Sequence, residues 1–453
     1  MSKKNAVDMR WHKEKRVDDG ILRHPANGQA WKDFDMQHPT FSVEPRHVSL
    51  SAPGRDIDVF LQPLVEELMN LWEHGVQTYD ASNGQIFKMH AAVMWTINDF
   101  PAYGTMSGWT TKGYLACPKC NMDASSQRLR SKIGYMGACL YLPENHIWRR
   151  SKLFNGQNEH RSKPVELSRE QILQQIDSRI YRPYGKHPNN RKRQRNDNPA
   201  SSWTKRSIMF DLPYWKTLKL RHNFDVMRIE KNICDNLVGT LLSIDGKNKD
   251  TDKACLDLED MRIRKELHLK RHSNGSFEKP TASYTLSPIE RQDFCDFLKS
   301  IKYPDGNATN ISNCVTPHGG KLSGLKTHDC NVLLQRLLPI GMPGYLSKEI
   351  GTTLFVLGNF FKQLCSKTLR VTDLGKMEEQ IVLILCKLDK IFPPAFFDVM
   401  VHLAIHLPHE AMLGGPAQYR WMYPIERMLE VLKGFVCNKA RPEGSIAEAY
   451  ISK

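Results

Sequence analysis

The sequence predicts an α-rich α+β fold, and three observations carry that reading. Apolar residues between positions 86 and 97 (Phe87, Val93, Met94, Trp95) have strand character and deliver one acid, Asp99, to their end. Pro101 and Gly104 stop the strand just beyond it. Apolar residues spaced three and four apart, the mark of helices, recur at 56–73, 226–241 and through most of 329–403. One helix and one good strand are too little for a complete sheet, so helices dominate the expectation.

A chain of 453 residues can bury a large core and divides into more than one domain. Lys and Arg total 64 against 49 Asp and Glu, a net charge of +15, which makes a polyanion the default partner. Residues 1–5 lack the apolar core of a signal peptide, and no uninterrupted apolar run is long enough to cross a bilayer. A soluble intracellular protein without membrane contact is expected. Of the eleven cysteines only Cys117 and Cys120 form a close pair, which fits a reducing compartment better than a disulfide scaffold.

Taken in order, residues 8–47 mix charges with aromatics (Trp11, Trp31, Phe34, Phe41), as a peripheral segment anchored to a core does. The helix at 56–73 is capped by Asp56 or Asp58, with Pro63 in its first turns. The strand follows. An acid at the end of a buried strand is where polynucleotidyl-transfer enzymes hold divalent metal, because the strand fixes the carboxylate. Cys117-x-x-Cys120 is half of a zinc site by spacing, and Cys139 and His146 are the nearest residues able to complete it.

A helical stretch at 167–180 precedes a basic block, 186–195, read as a linker and nuclear localisation signal. His222, Asp225 and Glu230 stand near the start of the next helix. They are either a metal or phosphate locus or, more simply, a cap whose acids complement the dipole. In the C-terminal part, His402 and His406 lie one turn apart. Such a pair can bind metal, but with no Glu between them in a zinc-protease arrangement, packing or hydrogen bonding is the expected role. Pro424 suits a first helical turn and places Glu426 near that helix's N-terminal end. The resulting division is 1–50, a basic and aromatic segment; 51–160, a strand-bearing core with the Cys-x-x-Cys loop; 161–210, the linker; 211–324, a helical insertion; and 325–453, a helical domain.

Three groups of residues carry a resemblance: Thr96-Ile-Asn-Asp-Phe-Pro-Ala with Cys117-Pro-Lys-Cys120; His222-Asn-Phe-Asp-Val-Met with Glu230-Lys-Asn-Ile-Cys-Asp-Asn236; and Pro408-His-Glu-Ala, Gly414-Gly-Pro and Arg420-Trp-Met-Tyr-Pro. They resemble the plant CACTA (En/Spm-type) transposases, the Tnp2-like proteins, including the family's C-terminal domain of unknown function from about residue 325. The resemblance implies a ribonuclease-H-like core in which three acids hold Mg²⁺ or Mn²⁺ and cut and join DNA at transposon ends, in the nucleus. Asp99 matches the second acid. Glu426 is the choice for the third, with Asp225 and Glu230 as competitors. Cys117 and Cys120 match the family's Cys-x-x-Cys, with zinc as the implied ion.

Three departures bear on activity. The family stretch that supplies the first acid and the opening strands is missing at Leu50-Ser51, so the core is expected to be truncated and the strand before Asp99 to lose its neighbours. Arg228 stands where the family has His. Gly137-Ala-Cys-Leu140 replaces an expected Gly-His-Arg-Arg. A transposase-derived protein that binds DNA but is catalytically impaired is therefore the first expectation, and a non-enzymatic interaction or homo-oligomerisation module on the C-terminal helices the second.

Overall fold

A computed structural model describes residues 16–43, 48–52, 58–177, 202–302, 311–316, 320–437 and 442–451. The basic block at 186–195, Trp11 and Asp56 lie outside these residues.

The sheet that positions the acids has three parallel strands, β1 (Val48–Ala52), β4 (Ala91–Asn98) and β5 (His222–Phe224), with β4 in the middle. All eight residues of β4 are buried. A central parallel strand is covered on both faces, which is why Ala91 to Trp95 read as one apolar run without alternation. The expected strand at 86–97 is in fact two. Gln85–Met89 (β3) pairs antiparallel with Val76–Asp80 (β2) in a separate hairpin, and β4 begins after His90. Nor does β4 lose its neighbours. Residues 48–52 pair with it on one side and β5 on the other, and the register of β1 slips between Leu50 and Ser51, at the junction the sequence singles out.

Helix α1 (Gln29–Gln37) carries Trp31 and Phe34 onto this core, and Phe41 stacks on Trp72 at 5.1 Å. Helix α2 (Asp58–Glu73) buries Leu61, Val65 and Leu68 against β4, with Pro63 in its first turns. Asp99 opens α3 (Phe100–Ser107) rather than a loop, and Pro101 sits in the first turn, where its missing N–H costs nothing. Gly108 ends α3 at φ 83°. Helix α4 (Arg169–Asp177) precedes the undescribed linker.

The larger core is helical. It is built by α5 (Val226–Leu241), α7 (Pro288–Ser300), α8 (Thr327–Val332), α9 (Lys348–Leu364) and α10 (Val371–Ile391), with α6 (Asp252–Met261) packing against it through Met261, and it is closed by α11 (Val399–Leu403) and α12 (Leu407–Gly414). Helix α8 runs on into a π-helical turn, Leu333–Leu337. Residues of the Cys-x-x-Cys segment, Cys117, Cys120, Tyr135 and Cys139, are part of this helical core. The last amphipathic helix, α13 (Tyr423–Gly434), buries none of its residues.

Candidate metal centre and the acids at the strand ends

After α3 the chain makes a tight knuckle. The Cys120 N–H points at Cys117 Sγ (3.5 Å), the Asn121 N–H donates to the Cys117 carbonyl (3.1 Å), and Asn121 takes φ 52°. Both thiols are fully buried. The partners come from the far end of the chain. Asp398 caps α11 by accepting from the Met400 and Val401 N–H groups (3.1 and 3.2 Å), and one turn on that helix then presents His402, with His406 in the 3₁₀ turn that follows. His402 Nε2 lies 3.2 Å from Cys120 Sγ. His406 Nε2 lies 3.3 Å from Cys120 Sγ, 3.4 Å from Cys117 Sγ and 3.4 Å from His402 Nε2.

All four donor atoms fall within 4.8 Å of one another. Zinc bonds of about 2.3 Å to sulfur and about 2.0–2.1 Å to nitrogen imply tetrahedron edges of roughly 3.4–3.8 Å. Four of the six edges measure 3.2–3.4 Å, at or just below that range, and two thiols with two imidazole Nε2 atoms are a donor set suited to zinc. The residues fit the ion. Burial works against ionising Cys117, but a hydrogen bond from Cys120 and the adjacent His406 and His402 outweigh it and hold that thiol well below its usual range. The shared hydrogen bond to Cys117, together with burial, pushes Cys120 up. The Tyr141 hydroxyl reaches Cys120 Sγ at 2.8 Å, and the Tyr135 ring lies 5.6 Å from that of His402.

This ligand set differs from the expected one. Cys139 is buried in a 3₁₀ turn, its thiol raised to about 12 by burial, and His146 Nδ1 accepts from the Trp148 N–H at 3.1 Å as a cap. His402 and His406, expected to serve packing or hydrogen bonding, do lie at hydrogen-bond distance from the thiols and stand where the expected partners do not. The signal that could have found them was the pairing of one Cys-x-x-Cys with one His-x-x-x-His. A separation of 282 to 289 residues hid it.

The acids lie at the carboxyl ends of β4 and β5. Because Asn98 pairs with Phe224, Asp99 and Asp225 follow side by side, and the Asp225 N–H donates to the Asn98 carbonyl (3.0 Å). Each carboxylate is already engaged. Asp99 Oδ1 accepts from the Ala102 N–H (2.9 Å) as the cap of α3. Asp225 Oδ1 accepts from the Met227 N–H (3.0 Å) as the cap of α5, its Oδ2 faces the Met422 N–H (3.4 Å), and burial raises it to about 6. Glu426, in the first turn of α13, is ion-paired with Arg228.

Glu230 stands apart from the strand ends. Buried on α5, it accepts from Asn331 Nδ2 and Gln335 Nε2 (2.9 Å each), and burial raises it to about 7. Of the other nearby acids, Asp58 pairs with Lys205, and Asp80 accepts from Ser82 N–H and Oγ within its turn. Among the described residues the Cys and His cluster is the one group close enough to hold an ion. Among the described residues no three of these carboxylates are close enough to share one ion, although Asp225 feels the charge of Glu426.

Residues 19–52 and 49–179 match the family model described as transposase family tnp2, and residues 364–453 match a domain of unknown function, DUF4218. The first match is split at the β1 junction. No curated protein matches the chain, and no solved structure does. Cys117 and Cys120 lie in the region that matches the transposase tnp2 model and His402 and His406 in the region that matches DUF4218, so the four-residue cluster brings the two matched regions together.

Proposed function

We propose that this protein descends from a CACTA-type plant transposase, binds DNA in the nucleus, and has lost the ability to cut it. The observation that carries this reading is that the acids marked out for metal chemistry are held by the chain itself: Asp99 and Asp225 cap helices, and Arg228 occupies Glu426. Three parallel strands, two of them with an acid at their carboxyl end, support a truncated ribonuclease-H-like core. The missing first-acid segment and the bulge at Leu50/Ser51 support its being shortened at that point. The surplus of positive charge supports a DNA partner through phosphate contacts.

At the other centre, Cys117, Cys120, His402 and His406 would hold zinc. Four protein ligands leave no open coordination position, so zinc there supplies a cross-link, not a reactive water. The chain's own residues form the closed shell: the knuckle amide and the Tyr141 hydroxyl face the thiols, and Asp398 fixes the helix that brings the imidazoles.

The test is purified protein incubated with a duplex carrying element termini in Mg²⁺ or Mn²⁺. We expect a retarded complex and no nick; a metal-dependent nick would overturn the loss of chemistry, and no complex would overturn the DNA partner. A second reading, self-association through the C-terminal helices, rests on α13, where Met428, Leu429 and Val431 are about half exposed. Light scattering on the full chain tests it, and a strict monomer rules it out.

A further inference from the structure

Among the described residues, strand β5 stands at the edge of its sheet. Arg221 and Asp225 bond to β4, through the Thr96 N–H to the Arg221 carbonyl (2.9 Å) and the Asp225 N–H to the Asn98 carbonyl (3.0 Å). Alternation along the strand turns the Phe224 N–H the other way, where a further strand would have to satisfy it. No strand lies there among the described residues. The acceptor is a side chain, Glu410 Oε2 of α12, at 3.2 Å.

Glu410 is wholly buried, and so is the neighbouring Arg420. Arg420 Nη1 sits 3.8 Å from Glu410 Oε2 and donates to Asn223 Oδ1 at 3.0 Å, while its Nε donates to the Gly415 carbonyl at 3.0 Å. The second carboxylate oxygen, Oε1, faces Lys119 Nζ at 3.3 Å. Lys119 lies between the two cysteines of the metal knuckle. A buried carboxylate is costly unless each oxygen meets a donor or a cation. Here one oxygen meets the strand and the other meets the metal loop.

We propose that Glu410 is a positioning residue that ties the metal loop to strand β5. With the ion bound, Cys117 and Cys120 are pinned to His402 and His406, Lys119 is delivered to Glu410, and Glu410 holds the Phe224 N–H. Asp225 is the next residue. Occupancy of the metal centre therefore sets how firmly the end of β5, and the acid that follows it, is held. This rests on the zinc reading above.

Hydrogen exchange over residues 220–228 of the full chain tests it, with bound zinc measured in the same samples. Chelation is expected to lower protection of the Phe224 amide about tenfold. Lys119→Met should do the same while the chain still carries one zinc, a separation that a purely structural lysine would not give. Glu410→Gln keeps an acceptor for Phe224 but loses the charge, so adding Lys119→Met to it should change nothing further. Protection indifferent to zinc, or unchanged in Lys119→Met, or additive losses in the double variant, would each overturn the proposal while leaving zinc binding intact. A chain that takes up no zinc at all would bring down both.

Discussion

Each residue of the candidate metal cluster is buried or half-buried. Cys120→Ser or His402→Ala is expected to abolish stoichiometric zinc, read by elemental analysis. At a thousandfold excess over the dissociation constant, bound zinc stabilises by about 4 kcal/mol, so thermal unfolding with and without a chelator should coincide in these variants and differ in the parent. Glu230 offers a different test. Burial lifts it from 4.5 to about 7, so the folded state binds its proton more tightly than the unfolded chain does. That contribution is fully present below pH 4.5 and is lost as pH rises through 7, with a ceiling of about 3 kcal/mol. Relative to the parent, Glu230→Gln should gain stability between pH 4.5 and 7 and hold a constant advantage above, read by denaturant titration across that range. The Arg228–Glu426 ion pair is about one-third exposed on both sides. Solvent screening leaves it less than about 1 kcal/mol, and Arg228→Gln should neither unfold the protein nor restore nicking.

Among the elements, helices with a clear apolar stripe were readable from the residues: 56–73 and 226–241 fall within two residues of their observed bounds. What could not be read was pairing. His90 divides what looks like one strand because the two halves answer to different partners, a hairpin and a sheet. The neighbour of β4 is supplied by five residues, 48–52, too few for a periodic signal. Caps were readable at Asp225, but the cap made by Asp99 was not, because Pro101 and Gly104 look like breakers until Pro101 falls in a first turn. The end of α3 is fixed by geometry. Gly108 has φ 83°, and a Cβ there would collide with the Lys205 carbonyl. Gly108→Ala should therefore cost more than about 1 kcal/mol, read as a lowered denaturant midpoint.

For the whole molecule, composition pointed to a polyanion, and the corresponding expectation is that DNA affinity falls steeply between about 50 and 200 mM salt, read by anisotropy. The candidate site was half legible: the thiols by their spacing, the imidazoles only as a pair one turn apart, since contact between residues 282 to 289 positions apart leaves no local pattern. That distance along the chain has an outcome for how the protein is made. A ribosome adding about 5–20 residues each second leaves the nascent knuckle waiting roughly 15–60 s before its imidazoles are synthesised. During that interval two bare thiols stand open to oxidants and to stray copper. Closure of the Cys and His cluster is accordingly a late event in biogenesis, and a transcript cut short before the codon for His402 would yield a product that never closes it.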